Sequence, residues 1–223
     1  MIDWFPTTAR MHPDEAEREL GRWRGMLTLG RVAREVDARD PATAGHSDRV
    51  AELCVQLAAE LGWSPRRAER LREAASIHDV GKACLPEEIL LVPRRLTPEE
   101  YEIVKEHAVL GSQIARSVIS AAQLSWVRSH HERWDGRGYP DGLADHEIPH
   151  GAAVLCVADA WDAMIHRSWT GAALTEREAL VECRREAGLQ FCPEVVDALM
   201  RVFQAGRLAP RRPVAPLRLV PAA

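Results

Sequence analysis

Histidine and aspartate residues stand repeatedly on the apolar faces of predicted helices, where they would point into the core. His46 lies four residues before Val50, and His107 lies three residues after Val104, both at helical spacing. The same pattern holds for His78, His130, His131, Asp159 and Asp162. A single histidine on such a face is more often a core residue whose ring a backbone carbonyl satisfies. A buried, ionised aspartate is very costly unless it is paired or bound to a metal, so the whole set favours one shared metal centre.

The donor types narrow the metal. Imidazole and carboxylate groups without a thiolate suit Fe, Mn, Ni or Zn better than Mg or Ca. Adjacent residues diverge by about 100° on a helix, so His78-Asp79 and His130-His131 fit two metals better than one, with Asp79 as the bridge. Two metals about 3.5–4 Å apart are a common device for activating water against a phosphate ester.

The elements that must position these residues are predicted to be helices throughout. Apolar residues recur at spacings of three and four through most of the chain, whereas strand-like alternation is scarce. Ser64-Pro65 and Thr97-Pro98 are typical helix starts. A stretch rich in Gly, Pro and Asp, residues 135–149, is predicted to be an irregular loop between helices. We therefore expect an all-α fold.

Composition excludes several classes of protein. The 223-residue chain has a net charge of −4, so no basic field recruits a nucleic-acid polymer or an anionic membrane. The five cysteines are widely spaced, which predicts reduced thiols rather than a disulfide framework. The N-terminus lacks the apolar core of a signal peptide, and no apolar stretch approaches the roughly 20 residues that span a bilayer. These features predict a cytoplasmic protein without a membrane span.

Three segments are expected along the chain: an N-terminal helical extension at 1–28, a main domain at 29–205, and a tail rich in Pro, Ala and Arg at 206–223. In the extension, the apolar residues Leu20, Trp23 and Leu27 lie loosely on one side. This pattern is consistent with a helix that packs on the main domain, or with the remnant of a link to a sensor domain.

Two motifs carry a resemblance to a known family. The segment IHDVGKACLPEEILLVPRRLTPEE contains HDxGK, which many HD enzymes share, and HHERWDGRGYPDGL follows it with the sequence HHExxDGxGYP. Together they resemble the HD-GYP group of HD phosphohydrolases, with a similarity that covers about residues 29–203. The resemblance implies an all-helical bundle in which the GYP loop covers a dinuclear metal site. It also implies hydrolysis of cyclic di-GMP to pGpG, GMP or both by a metal-bridging hydroxide.

Carried over residue by residue, the resemblance implies roles for the site residues. Asp79 and Lys82 would be catalytic, with Asp79 bridging two divalent transition metals, Fe or Mn first and Ni or Zn as alternatives. Metal ligands would be His46, His78, Asp79, His107, His130, His131 and Asp159. Substrate contacts would come from Lys82, Asp135, Gly138, Tyr139, Pro140 and Asp162.

The sequence departs from the family pattern at two places. Some members hold a third metal with a glutamate four residues before the first histidine, where this chain has Ala42, so two metals are expected. The basic residues that usually follow the DxxDA segment are replaced by Ser168 and Gly171, and Arg167 stands one residue too early to substitute directly. Each lost charged contact to a phosphate costs about 1.5–3 kcal/mol.

These departures keep three functions open. The first is a phosphodiesterase acting on cyclic di-GMP or a related cyclic dinucleotide. The second is a phosphohydrolase acting on another nucleotide or phosphate ester. The third is a metal-bound signalling or scaffold module that has lost turnover and acts through protein partners. A homodimer is among the assemblies left open.

Overall fold

A computed structural model describes residues 13–39, 43–92, 94–166 and 173–208. Within these residues the chain is helical and forms no β-strand beyond one isolated bridge between Ala187 and Phe191. The all-α prediction is confirmed. The helices are α1 (Pro13–Arg39), α2 (His46–Glu60), α3 (Pro65–Ala75), α4 (Glu87–Leu90), α5 (Pro98–Ile114), α6 (Ala121–Arg128), α7 (His150–His166), α8 (Glu176–Arg185) and α9 (Pro193–Gln204).

Local capping explains where several helices begin. The Ser64 side chain accepts a hydrogen bond from the Arg67 backbone at the start of α3. Thr97 and Glu100 form a reciprocal capping box at the start of α5, as do Thr175 and Glu178 at the start of α8. The two helix starts predicted at Ser64-Pro65 and Thr97-Pro98 are therefore confirmed.

Helices α2 and α7 form the centre of the bundle. α2 packs against α3, α7 and α9, and α7 also contacts α6 and α8. In α7 the residues from Gly151 to Ala158 are all buried, as expected for a helix covered on every side. Val50, Cys54 and Leu57 line the inner face of α2. Since this core surrounds the polar donors, their positions are fixed by packing on several sides.

Helix α1 packs through a face other than the one that the sequence suggested. Leu29 and Ala33 are buried, whereas Leu20, Trp23 and Leu27 are 46%, 57% and 48% exposed. The predicted apolar side of the extension thus faces solvent in its first half. α1 is also continuous across the predicted boundary between residues 28 and 29.

The loop between α6 and α7 is irregular, as predicted, with one short 3₁₀ turn at Asp145–Glu147. Most of the predicted tail, residues 209–223, lies outside the described residues. No described helix is both long enough and apolar enough to cross a bilayer.

Candidate metal centre

The predicted metal donors come from five parts of the bundle. His46 is the first residue of α2, His107 lies in α5, and Asp159 lies in α7. His78-Asp79 and His130-His131 lie in turns that follow α3 and α6, rather than on helices. The helical angle that we used to separate these pairs therefore does not apply, and their divergence comes from the turns.

A glycine allows the first of these turns to approach α5. An added Cβ at Gly81 would lie 2.0 Å from the backbone oxygen of His107 and 2.6 Å from the backbone nitrogen of Gly111. Only a residue without a side chain fits this contact. Gly81 therefore lets the turn that carries His78 and Asp79 lie directly against the helix that carries His107.

Asp79 stands between two groups of histidines. Its Oδ2 lies 3.6 Å from His78 Nε2 and 3.9 Å from His46 Nε2. Its Oδ1 lies 3.2 Å from His107 Nε2 and 4.0 Å from His130 Nε2. Potential donor atoms of Asp79, His107, His130 and His131 all lie within 4.8 Å of one another, as do those of His46, His78 and Asp79. One carboxylate thus belongs to both clusters.

Hydrogen bonds fix which nitrogen of each ring faces the centre. The Nδ1 atoms of His78, His107 and His130 lie 2.6–2.7 Å from the backbone oxygens of Ala75, Val104 and Val127. A carbonyl can only accept, so each Nδ1 carries the proton. In the neutral ring each Nε2 then presents a lone pair to the centre, which is the form that binds a metal.

The electrostatics of the rings also fit a cation. Burial lowers the pKa of His78, brings that of His131 to about 3, and holds that of His130 well below its usual value, so these rings are neutral at pH 7. Yet His107 Nε2 and His130 Nε2 lie 3.4 Å apart, and the buried Nε2 of His78 has no hydrogen-bond partner among the described residues. Converging lone pairs without donors are the arrangement that a divalent cation would stabilise.

Asp159 extends the cluster on the side of α7. Its Oδ1 lies 3.0 Å from His46 Nε2 and 4.0 Å from His78 Nε2. Burial by itself would raise the pKa of Asp159, but the hydrogen bond with His46 and the surrounding histidines hold it well below its usual value. Asp159 is therefore an ionised carboxylate at the edge of the group that contains His46 and His78.

Asp162, expected to contact substrate, lies behind His46. Its Oδ2 accepts a hydrogen bond from His46 Nδ1 at 2.7 Å, and Arg49 donates to both oxygens at 2.7 and 2.9 Å. His166 Nδ1 lies 3.0 Å from Oδ1. The residue is only 3% exposed. This position suits a residue that orients His46 rather than one that contacts substrate.

Lys82 lies beside the shared carboxylate. Its Nζ donates to Asp79 Oδ2 at 2.5 Å. Although burial would raise the pKa of Asp79, the positive charge of Lys82 and the neighbouring histidines hold it well below its usual value. Lys82 also lines the cavity next to the cluster, where its ammonium group can meet an anion.

The loop that contains Gly138 and Tyr139 is anchored at its base. The buried Glu132 accepts hydrogen bonds from the backbone N–H groups of Asp141 and Gly142 at 2.7 and 3.1 Å. An added Cβ at Gly138 would lie 2.3 Å from the Arg133 nitrogen, so the loop backbone lies directly against the segment after His131. Tyr139 places its ring 4.9 Å from that of His131, which it covers.

A cavity of about 540 Å³ opens onto this cluster of histidine and aspartate side chains. Asp79, His107 and His131 contribute to its wall, together with Gly138 and Tyr139. Its other polar lining residues are Asp37, Arg39, Thr43, Lys82, Tyr101, Arg133, Arg137 and Gln190. Four of them are cationic, which suits an anionic ligand.

The other residues that the sequence singled out do not all line this cavity. Asp135 holds the Arg133 guanidinium through two hydrogen bonds of 2.8 and 3.0 Å and accepts from the Arg137 backbone, so it shapes the cavity wall through its neighbours. Pro140 follows Tyr139 through a cis peptide bond. Trp134, which lies between His131 and the GYP sequence, lines a different cavity with His146 and His150. Ala42, Arg167, Ser168 and Gly171 lie outside the described residues.

Sequence reasoning missed several residues of this site. Arg49 lies one turn after His46, but nothing in the sequence predicts its pairing with Asp162, which is 113 residues away. Asp37, near the end of α1, accepts a hydrogen bond of 2.8 Å from the backbone N–H of Ser47 and so supports the start of α2 at His46. Glu132 could have been expected from its position directly after His130-His131 in the HHE sequence.

Comparison with known proteins agrees with this geometry. A family model for the HD domain matches residues 31–195. A cyclic di-GMP phosphodiesterase from Thermotoga maritima is 41% identical over 167 residues, which are 74% of this chain and 45% of that protein. A 3′3′-cGAMP-specific phosphodiesterase from Vibrio cholerae, named phosphodiesterase 2, is 33% identical over 172 residues, which are 76% of this chain and 33% of that protein. The chain thus spans less than half the length of these relatives.

A solved structure shows the same fold. An HDG"Y"P protein from Bdellovibrio bacteriovorus matches with a TM-score of 0.60 and 21% identity, covering 74% of this chain and 53% of that one. The match over most of the chain to the HD domain model agrees with the HDxGK and HHExxDGxGYP motifs. The chain belongs to the HD domain family, and to its HD-GYP group.

Proposed function

We propose that this protein is a metal-dependent phosphodiesterase that hydrolyses a cyclic dinucleotide, with cyclic di-GMP as the first candidate. The observation that carries the proposal is the position of Asp79, whose two oxygens face two different histidine groups beside a cationic cavity. A carboxylate shared in this way is the arrangement that a two-metal phosphoesterase requires.

The donor groups support an assignment of ligands to two divalent ions. His46, His78 and Asp159 would hold one ion, while His107, His130 and His131 would hold the other, with Asp79 common to both. Histidine and carboxylate donors without thiolate favour Fe or Mn, with Ni and Zn as alternatives. When bound, such ions lower the pKa of a water molecule and neutralise charge that develops on the phosphate.

The chain's own side chains would orient the metal ligands and contact the substrate. The Nδ1–H groups of His78, His107 and His130 hold their rings in a single orientation, so the donors need little rearrangement. Lys82 Nζ, next to Asp79 Oδ2 and facing the cavity, is the group we assign to contact the phosphate or to protonate the departing ribose oxygen. The product would be linear pGpG, or GMP after a second cleavage.

The cavity offers a substitute for the basic residues missing at positions 168 and 171. Arg39 comes from the end of α1, and Arg133 and Arg137 come from the segment around the GYP loop. Asp135 and Gln190 hold the Arg133 guanidinium, whereas no side-chain hydrogen bond to a described residue engages that of Arg137. We propose that Arg137 contacts the second phosphate of a cyclic dinucleotide and that Tyr139 packs against a base or ribose.

The relatives support this substrate class, because those compared here are named for cyclic di-GMP and 3′3′-cGAMP. The sequence at 168–171, Ser-Trp-Thr-Gly, instead favours a second candidate, a phosphohydrolase of another phosphate ester, because it offers no charged side chain to the phosphates of a cyclic dinucleotide. The two candidates share the metal centre and differ only in substrate recognition.

The test is a hydrolysis assay with the protein purified anaerobically in Mn or Fe. Cyclic di-GMP, 3′3′-cGAMP and simple phosphate esters would be incubated with the protein, and products would be separated by chromatography. We expect hydrolysis of a cyclic dinucleotide by the wild type and none by Asp79→Ala. Arg137→Ala should raise KM about tenfold or more, since a charged hydrogen bond contributes about 1.5–3 kcal/mol.

Arg177→Ala is the matched control, since it removes an exposed arginine of α8 and should leave KM unchanged. Hydrolysis of simple phosphate esters alone would favour the second candidate. A metal-loaded protein that hydrolysed none of these compounds would contradict both.

A further inference from the structure

Three apolar residues form a stripe on the outer face of α1 that the other described residues leave partly exposed. Leu20, Trp23 and Leu27 recur at spacings of three and four residues, and each is between 46% and 57% exposed. The opposite face of the same helix is anchored through the buried Leu29 and Ala33 and through a salt bridge of 3.2 Å from Arg22 to Glu73. The stripe is thus displayed on a helix whose orientation is already fixed.

The charges within residues 14–34 of α1 are unevenly distributed. Residues 14–19 hold four carboxylates, Asp14, Glu15, Glu17 and Glu19, against one arginine. Residues 20–34 hold four arginines, Arg22, Arg24, Arg31 and Arg34, and no carboxylate. An acidic segment followed by a basic segment is complementary to itself when two copies lie antiparallel. The last turn of α1, with Glu35, Asp37 and Arg39, lies beyond these two segments.

The positions of the apolar residues fit that arrangement. If Leu20 of one copy lies opposite Leu27 of the second, the two-fold axis passes between Trp23 and Arg24. Each Trp23 then faces Arg24 of the other copy, a pair that can form a cation–π contact. Glu17 falls next to Arg31 of the other copy, and this charge pair is formed twice. Glu17 and Arg31 are both exposed, and neither forms an ion pair with another described residue.

We propose that the chain forms a homodimer through antiparallel packing of α1, with Leu20, Trp23 and Leu27 at its centre. A parallel pair would instead place the acidic segments together and the basic segments together, which is unfavourable. One pair of helices is a small interface, so the dimer dissociates on dilution. This assembly does not depend on the proposed enzymatic function.

The interface would be mechanically connected to the metal centre. α1 continues from the stripe to Asp37, which holds the backbone N–H of Ser47 beside His46, and to Arg39, which lines the cavity. A dimer joined through this helix would therefore fix the wall of the cavity that α1 contributes.

Sedimentation velocity of the 223-residue protein at increasing concentration tests the proposal. We expect a concentration-dependent dimer in the wild type and a monomer for Trp23→Glu, which replaces an exposed side chain and leaves the buried face of α1 intact. Circular dichroism would verify that the variant is folded. A wild type that remains monomeric, or a Trp23→Glu variant that still dimerises, would overturn the proposal.

Charge reversal tests the antiparallel orientation. Glu17→Arg and Arg31→Glu should each weaken dimerisation about tenfold, since each creates two like-charge contacts in place of two exposed ion pairs. The double variant should dimerise within about threefold of the wild type, because the pairs are restored with reversed sign. If the double variant were as weak as either single variant, this orientation would be wrong.

Discussion

Replacing Asp162 by asparagine tests whether His46 is a metal ligand oriented from behind. The Asp162 carboxylate accepts a hydrogen bond of 2.7 Å from His46 Nδ1 and two from Arg49. Asparagine has one oxygen in place of two, so its amide N–H₂ must face either His46 or Arg49, both of which are donors. The substitution thus removes a charged hydrogen bond and leaves two donors opposed.

The magnitude follows from that loss. A buried hydrogen bond to a charged group contributes about 1.5–3 kcal/mol, which corresponds to about 10- to 150-fold in an equilibrium constant. Loss of a residue that orients a metal ligand typically reduces metal affinity by about 10- to 100-fold. We therefore expect Asp162→Asn to bind Mn(II) 10- to 100-fold more weakly than the wild type.

A competition titration with a fluorescent chelator would measure this affinity. Asp197→Asn is the matched control, because it makes the same chemical change at an exposed position of α9, and its affinity should equal that of the wild type. Thermal unfolding of the metal-free proteins would show that both variants are folded. If a folded Asp162→Asn protein bound Mn(II) as tightly as the control, the proposed orientation of His46 by Asp162 would be refuted.

Three further predictions concern packing, proton linkage and catalysis. Gly81→Ala should lower the free energy of unfolding by about 3 kcal/mol, because its Cβ would overlap the His107 oxygen. At Gly21 no atom lies within 4 Å of an added Cβ, so Gly21→Ala should raise the free energy of unfolding by up to about 1 kcal/mol. Urea unfolding would measure the free energy of unfolding of both variants, and equal effects of the two substitutions would contradict the close packing of Gly81 against α5. Burial lowers the pKa of His131 from 6.5 to about 3, so the unfolded state binds more protons below pH 6.5. The metal-free protein should therefore lose stability as the pH falls from 6.5 towards 3. In His131→Asn, the slope of the free energy of unfolding against pH should be smaller by about 1.4 kcal/mol per pH unit across that range. An unchanged slope would refute this. Lys82→Met should lower kcat roughly 100-fold, measured by turnover. Metal analysis should show that the variant retains both metals. An undiminished kcat would exclude Lys82 from the chemistry.

The sequence predicted which of these polar side chains are buried, because burial of a polar residue can be inferred from its neighbours. His46 and His107 fall at helical spacing from apolar residues, and the structure places both inside the bundle, 0% and 1% exposed. The adjacent pairs His78-Asp79 and His130-His131 lie in turns instead of on the helices that the sequence predicted. α3 ends at Ala75 without a glycine or proline, so the sequence did not show that His78 and Asp79 lie in a turn.

Features that depend on distant contacts could not be predicted. The partner of Arg49 is 113 residues away, and no local pattern links the two. The direction in which α1 faces could not be predicted either, since Leu20, Trp23 and Leu27 lie on one side of the helix and yet are exposed. Tertiary packing of Leu29 and Ala33 decides that orientation, because a periodic pattern alone does not show which of two faces meets the core.

Metal stoichiometry is the most direct test of a dinuclear centre bridged by Asp79. Metal analysis of the Mn-loaded protein, joined to anomalous diffraction from its crystals, should show two ions per chain, one on each side of the Asp79 carboxylate. Asp79→Ala should reduce the metal content below two while the bundle remains folded. A folded wild-type protein that binds one ion, or two ions that do not share Asp79, would contradict a dinuclear centre bridged by Asp79.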